Sequence, residues 1–293
     1  MTAVVEHLAT RKAAGLFDFS FMGLYEFQGR EKSELQSLQT RSLDALAPGQ
    51  VGYTLLLKGD GAVLIDATVW NLGGGRYWLF TGRRSPYGGR DRSGEYAILA
   101  LQGPASGRIL ARVIGAEAVR DLAYFRFKQE DELIVARLGY SGELGYELLV
   151  RPAEAAVLRQ KILGEEVREC SWNAADSLRI EAGYVLFDRE VDGIANPHEL
   201  GLERFAPGRT FPVKRKLVGL EVLDREPPGT LPVATVTSEC FSPTLGKDIA
   251  LGFALSSRNP GSLVYVPDGR LARIARLPFY DPERRRPRAA PFS

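Results

Sequence analysis

A ten-residue segment, LGYSGELGYE at 138–147, constrains the fold of this chain more than any other. Its glycines recur at every third position between tyrosines and glutamates, a mixture that packing alone seldom requires. The runs LIVAR at 133–137 and LLV at 148–150 predict a strand on each side. Because glycine permits positive φ angles and close backbone approach, we expect a tight connection between these strands.

Two side chains beside this connection have the chemistry of a ligand site. Tyr140 offers an aromatic face for stacking, and the Glu147 carboxylate can accept from two N–H donors. The alternative is a hairpin whose tyrosines simply pack within the protein. The segment alone favours neither interpretation.

The segment resembles the signature Gly-Tyr-Thr-Gly-Glu-x-Gly-Tyr/Phe-Glu of the glycine-cleavage T-protein (aminomethyltransferase) family. Further matches follow in the family's order: AGLFDFS at 14–20, GQVGYT at 49–54, GAVLID at 61–66, LQGP at 101–104, DSLRIEAG at 176–183, and VTS, SPT and IALG between 236 and 252. So many collinear matches make coincidence a poor explanation.

The resemblance implies an α+β fold, a cloverleaf of interleaved α+β subdomains around a central cavity, with a C-terminal antiparallel β-barrel. It also implies that tetrahydrofolate enters this cavity. We expect the α+β region at 1–210 and the barrel at 211–293, where short apolar runs are broken by proline- and glycine-rich turns. The chain looks shorter than family members after 81–85 and between 211 and 217.

Asp66 is the candidate catalytic residue. It follows the apolar run Val63-Leu64-Ile65, so its carboxylate is expected at the edge of a buried surface, where it needs a partner or a proton. By resemblance, this aspartate faces the folate amine nitrogens at which the one-carbon unit leaves or arrives, and holds or removes a proton there. The structural alternative is a hydrogen-bonded aspartate at a strand end.

The resemblance assigns four more residues to the folate site: Tyr53, Tyr140, Glu147 and Arg179. Glu147 would accept from the pterin ring N–H and its exocyclic amine, and Tyr140 would stack on the ring. Each residue has an ordinary alternative. Glu147 can be a surface residue of an alternating strand, the tyrosines can be core aromatics, and Arg179 can pair with Asp176 on a helix face.

Three positions depart from the family pattern. Ala175 and Thr81 stand where the family usually has arginine and asparagine, and Phe21 where the T-protein proper usually has histidine. Each change removes a polar group from the expected cavity. Folate is therefore held with fewer contacts or not at all, or the second substrate differs from that of the T-protein proper.

Composition excludes several classes of protein. The 293 residues are 45% hydrophobic and 25% charged, with a formal net charge of +2, which argues against a general nucleic-acid surface. With two cysteines and two histidines, the sequence supports neither a disulfide framework nor a metal site. No apolar run is long enough to span a membrane, and we expect a cytoplasmic protein. The arginine-rich segment 284–288 is expected to be a solvated, disordered tail.

Helices are predicted at 32–46, 153–163 and 174–183, and strands at 51–57, 62–72 and 77–81, with hairpin turns between the strands.

The expected function is a tetrahydrofolate-dependent one-carbon transferase or demethylase that acts on a small methylated compound. Glycine cleavage, with an aminomethyl-lipoyl carrier protein as donor, is the first alternative, which the altered positions make less favoured. A non-catalytic folate or ligand sensor and a folate-independent enzyme on the same scaffold are the others. The sequence predicts no oligomeric state.

Overall fold

The computed structural model describes residues 2–223 and 229–292. Its α-helices are α1 (Thr2–Lys12), α2 (Glu31–Leu38), α3 (Ser106–Ile114), α4 (Pro152–Leu163) and α5 (Trp172–Glu181). The strands are β1 (Gly15–Asp18), β2 (Gly23–Gln28), β3 (Val51–Leu57), β4 (Val63–Gly73), β5 (Arg76–Thr81), β6 (Arg90–Asp91), β7 (Ala97–Gln102), β8 (Phe127–Glu130), β9 (Leu133–Ala136), β10 (Gly145–Val150), β11 (Arg168–Glu169), β12 (Arg215–Leu223), β13 (Thr235–Ser242), β14 (Lys247–Leu255), β15 (Leu263–Tyr265) and β16 (Leu271–Ala275).

Two sheets interleave in the first two thirds of the chain. The first sheet has the order β11-β1-β7-β10-β9-β8, and the second has the order β3-β4-β5-β2-β6. The chain leaves the first sheet after β1, builds the whole second sheet, and returns at β7. This connectivity confirms the predicted α+β architecture of interleaved units.

The two sheets face each other across a shared apolar layer. Phe17, Ala100 and Ala136 of the first sheet pack in one cluster with Val51 and Trp70 of the second. Burial of apolar surface on both inner faces stabilises this arrangement, at roughly 25 cal/mol per Å². A polar side chain on the inner face of either sheet therefore points into this apolar layer.

The C-terminal strands form a third sheet with the order β13-β14-β12-β16-β15. Its two edges meet, because Val233, just before β13, forms a bridge with Tyr265 at the end of β15. Backbone hydrogen bonds of 2.8 and 2.9 Å accompany this bridge. Closure removes the exposed edges that an open sheet would leave, and it confirms the predicted C-terminal barrel.

The predicted elements agree with the structure best where the apolar pattern is regular. The strand at 51–57 has the predicted limits, and the helix predicted at 153–163 ends at Leu163 and begins one residue earlier, at Pro152. The helix predicted at 32–46 is wrong beyond Leu38, because Gln39 forms an antiparallel bridge with Leu56. A short 3-10 turn, Leu43–Ala45, follows.

The prediction of a disordered C-terminal tail is wrong. Residues 286–288 form a 3-10 turn whose Pro287 is buried. The Arg286 guanidinium lies 3.5 Å from the buried Glu143 carboxylate, and Arg137 donates a hydrogen bond to the Ala289 carbonyl. These contacts with the rest of the chain order the segment, which the local sequence does not show. Arg285 and Arg286 stay exposed, so the predicted solvation holds and the predicted disorder does not.

The glycine-rich connection between β9 and β10 forms as predicted, although protein fills the space that its glycines leave. A Cβ atom at Gly139 or Gly145 would meet the Gln102 side chain at 1.9 or 2.4 Å. Gln102 also accepts a hydrogen bond from the Ser141 hydroxyl at 2.9 Å. The glycines therefore admit a neighbouring side chain and not a ligand.

Candidate functional site

Two carboxylates point into the layer between the first and second sheets. Glu147 pairs across strands with Ala100 and with Ala136, and directly opposed residues share a face. Asp66 lies on the face of β4 that carries Trp70, because alternate residues of a strand point the same way. One comes from each sheet, and both face the same interior.

Glu147 is buried without a partner. Its side chain is 6% exposed, and within residues 2–223 and 229–292 no hydrogen bond or ion pair reaches its carboxylate. Desolvation by burial therefore raises its pKa to about 7. The alternative of an exposed residue on an alternating strand does not hold. A buried carboxylate with unused acceptor positions is the group that a ligand with paired N–H donors would satisfy.

Asp66 is held by one of the other predicted residues. The Tyr53 hydroxyl donates a hydrogen bond of 3.0 Å to its Oδ2 atom. Burial raises the pKa of Asp66 to about 6, against the opposing effect of this hydrogen bond. The carboxylate is therefore mostly ionised at pH 7 and close enough to its pKa to accept a proton, as a general base must.

The Tyr140 side chain is fixed by contacts of its hydroxyl and of its ring. Its hydroxyl donates a 2.5 Å hydrogen bond to the Val185 carbonyl, and its ring stacks on Tyr184 with centroids 6.0 Å apart. Burial raises the pKa of Tyr140 well above its usual value, and the charges of Arg179 and Asp66 act on it as well. Tyr140 therefore lies within electrostatic reach of Asp66.

Arg179 is a fully buried centre of hydrogen bonds. It donates to Asp176 at 2.7 Å, to Glu190 at 2.6 Å and to the Ser238 hydroxyl of the barrel at 2.7 Å, and it also donates to the Tyr184 carbonyl. The pair with Asp176 predicted as the alternative is present, but it is one contact of several. Arg179 acts on the pKa of Asp66 through its charge.

The structure thus brings four of the five predicted residues into one electrostatic group. Asp66, Tyr53, Tyr140 and Arg179 are linked by hydrogen bonding or by their effects on one another's pKa. Glu147 faces the same interior but lies outside this group, since desolvation alone sets its pKa.

Sequence reasoning missed Glu190, which is fully buried and accepts from Arg179 and from the hydroxyls of Thr237 and Ser238. It raises the pKa of Asp66 through its charge. No local motif marks Glu190, because its partners lie up to 48 positions away in sequence.

A cavity of about 370 Å³ opens at the edge of the interior. It is lined by Phe17, Asp18, Phe19, Phe21, Cys170, Trp172, Leu186 and Phe187. None of the five predicted site residues is among them. The cavity nevertheless adjoins the interior, because Phe17 is opposite Ala100, which in turn is opposite Glu147.

One of the three family departures lines this cavity, and a second lies on the helix that contributes Trp172 to it. Phe21 lines it, and Ala175 is buried one helical turn after Trp172 on α5. The third, Thr81, is buried and donates a hydrogen bond to the Arg83 carbonyl.

In the described part of the chain, no group of three His, Cys, Asp or Glu side chains could hold a metal ion. In the same residues, no helix is both long and apolar enough to cross a bilayer.

Comparison with known proteins finds relatives along most of the chain. The family model of the GCVT N-terminal domain matches residues 2–87 and 88–208, and that of the glycine cleavage T-protein C-terminal barrel domain matches residues 215–281. The aminomethyltransferase of Aquifex aeolicus is 35% identical over 95% of this chain and 87% of the relative. That of Symbiobacterium thermophilum is 33% identical over 97% and 91%. The Aquifex alignment spans 311 positions, more than the 293 residues of this chain, so the relative contains segments that this chain lacks.

A solved structure has the same fold. The crystal structure of the glycine cleavage system aminomethyltransferase T from Bartonella henselae superposes with a TM-score of 0.83 at 26% identity, over 95% of this chain and 90% of that one. Sequence matches, interleaved sheets and closed barrel all lead to one conclusion: the chain belongs to the glycine-cleavage T-protein family.

Proposed function

We propose that this protein is a tetrahydrofolate-dependent one-carbon transferase and that its reaction is aminomethyl transfer of the glycine-cleavage type. The observation that carries the proposal is the unpartnered Glu147 carboxylate, buried on the inner face of the first sheet. The names of the relatives support aminomethyl transfer over the small methylated donor that the sequence favoured.

The interior residues fit a reduced folate. A pterin edge carries a ring N–H beside an exocyclic amine, and Glu147 has two free acceptor oxygens for such a pair. Tyr140 is held rigidly by Val185 and Tyr184, so stacking on it costs little side-chain entropy. The folate supplies the nitrogen that carries the one-carbon unit.

In this proposal Asp66 accepts and returns the proton of the reacting nitrogen, as a general base and acid. Tyr53 orients its carboxylate, and the nearby charges of Glu190 and Arg179 act on its pKa in opposite directions. A carboxylate with a pKa of about 6 can take a proton from an amine nitrogen as the carbon unit moves, and return it afterwards. It also stabilises positive charge on that nitrogen.

A small methylated donor is the second candidate, favoured by the departures at Phe21, which lines the cavity, and at Ala175 on α5. Weak use of the lipoyl carrier protein is what this second candidate predicts. Cytoplasmic location and the lack of nucleic-acid or membrane partners stay predictions.

A reconstituted glycine-cleavage assay separates the two candidates. The proposal predicts tetrahydrofolate-dependent release of ammonia from the aminomethylated carrier protein at a rate comparable with that of an authentic T-protein. Background turnover only, together with folate-dependent consumption of a small methylated compound, would move the second candidate into first place.

Replacing Glu147 by Gln is predicted to weaken tetrahydrofolate binding by about 1–3 kcal/mol, because one acceptor becomes a donor facing the pterin N–H groups. Calorimetry measures the change, and Glu130→Gln, an exposed position on β8 of the same sheet, is the matched control.

The same variant should be more stable than the parent protein above pH 7. The pKa of Glu147 is raised in the folded state, so burial of the charge lowers stability as pH rises from about 4.5 to about 7, by up to about 3 kcal/mol. Glutamine has no charge to bury. Higher stability with lower affinity is the signature of a binding residue, and unchanged affinity would return Glu147 to a structural role.

Replacing Asp66 by Asn is predicted to lower single-turnover rates by roughly 10²–10⁴-fold with much less change in folate affinity, because shape is kept and basicity is lost. Rates, dissociation constants and melting temperatures are compared on the same preparations, with exposed Asp248→Asn as the control. A variant that reacts at the parental rate would contradict the proton role of Asp66.

A further inference from the structure

We propose that the cavity at the edge of the interior is a binding site for a small alkylated ammonium cation. Its eight lining residues include five aromatic rings and one carboxylate, Asp18, but no lysine, arginine or histidine. The binding claim is independent of folate. The identification of the cation as the one-carbon donor rests on the proposed function, and on its second candidate in particular.

The rings supply the attraction that an alkylated ammonium ion finds in proteins. Phe19, Phe21 and Trp172 form a group in which every pair meets edge to face, with centroids 5.5 to 6.5 Å apart. Phe17 lies 6.0 Å from Phe19 on the inner side. The negative face of an aromatic ring attracts a cation, and a poorly hydrated alkylammonium ion gains most from such a surface.

Two rings of this aromatic group, Phe21 and Trp172, are exposed and therefore accessible to a ligand. Phe21 is 44% exposed and Trp172 is 41% exposed, although large aromatic rings dominate cores and interfaces. Both lie at a cavity whose volume of about 370 Å³ falls at the lower end of the range for small-molecule sites, roughly 300–1,000 Å³. The volume suits a ligand of few heavy atoms.

The Asp18 carboxylate gives the cavity a negative charge. Its Oδ1 atom accepts a hydrogen bond from the Ser20 backbone N–H at 2.9 Å, and in the described residues no ion pair neutralises it. An unneutralised carboxylate beside aromatic faces favours a cation over a neutral molecule of the same shape and disfavours an anion.

Nearby arginines do not reverse this preference. Arg83 approaches Phe187, with its guanidinium 5.9 Å from the ring centroid, but it is paired with Asp188 at 3.0 Å. Arg84 is turned towards backbone, where it donates to the Ser20 and Met22 carbonyls. Neither arginine lines the cavity.

Two of the departures from the family pattern also favour a cation in the cavity. Phe21 and Ala175 replace the histidine and arginine that the resemblance leads one to expect, so two potential positive charges are absent at or beside the cavity. A site that has lost cations and kept a carboxylate is suited to a positively charged ligand.

Choline and its uncharged carbon isostere, 3,3-dimethylbutan-1-ol, test the proposal on the full-length protein. Of the three tryptophans Trp172 alone is exposed, so its fluorescence reports on the cavity, and calorimetry gives the affinity independently. We expect saturable choline binding at least about tenfold tighter than binding of the isostere. Equal or tighter binding of the isostere, tighter binding of the anion 4-aminobenzoate, or no binding of choline overturns the proposal.

Matched variants locate the binding. Trp172→Leu and Asp18→Asn, both changes of exposed side chains, should each weaken choline binding by about two- to fivefold, measured by calorimetry. The exposed controls Phe241→Leu and Asp248→Asn, both in the barrel, should leave it unchanged. Parental affinity in both cavity variants places the cation elsewhere and overturns the assignment.

Tetrahydrofolate affinity, measured on the same preparations, separates this proposal from the proposed function. Choline binding without folate binding keeps the cation site and removes the transferase. Folate binding without choline binding keeps the proposed transferase and removes the cation site.

Discussion

The Glu181 carboxylate holds three parts of the chain together. It accepts from Arg11 of α1 at 2.8 Å and from the Ser242 hydroxyl of the barrel at 2.5 Å, and His7 lies 3.1 Å away. Arg11 also binds Glu143 in the glycine-rich connection at 3.0 Å. Burial acts to raise the pKa of Glu181, but these partners outweigh it and hold the pKa at about 2. The stabilisation is therefore complete above about pH 4.5 and lost as pH falls towards 2.

Buried charges with partners hold the elements of this protein together, whereas buried carboxylates with few partners are available to a ligand. The charges around Glu181 and Arg179 are fully partnered, so they fix helices, connection and barrel relative to one another. Glu147 and Asp66 face the interior with fewer partners, and burial raises both their pKa values. Groups that cost stability in the free protein are the ones that a ligand can satisfy, and perturbed carboxylates cluster at functional sites for this reason.

Apolar periodicity and turn residues were enough to predict much of the fold. The strand Val51–Leu57 and the connection before β10 follow from local pattern alone. The helix α1 does not, because its buried residues are Glu6, His7, Thr10 and Arg11, and no apolar stripe marks it.

Contacts between buried polar side chains also explain which features of the site could not be predicted from the sequence. The order of the arginine-rich C-terminal segment depends on partners elsewhere in the chain, such as Glu143 for Arg286. Asp66, Tyr53 and Tyr140 were identified by resemblance, but Glu190 and the unpartnered state of Glu147 depend on contacts between distant segments. Such pairings are properties of the tertiary structure, and neither spacing nor composition encodes them.

The central claim is that ionised Glu147 receives the pterin of tetrahydrofolate, and the pH dependence of folate affinity tests it most directly. Because the pKa of Glu147 is about 7 in the free protein, binding that needs its charge must weaken as pH falls, by about 15-fold in all between pH 7 and 5.5. The Glu147→Gln variant should show no such dependence. Repeating the titration in Asp66→Asn removes the other interior carboxylate, whose pKa is about 6. Affinity of the parent protein that is flat across this range, or that rises as pH falls, would contradict the account.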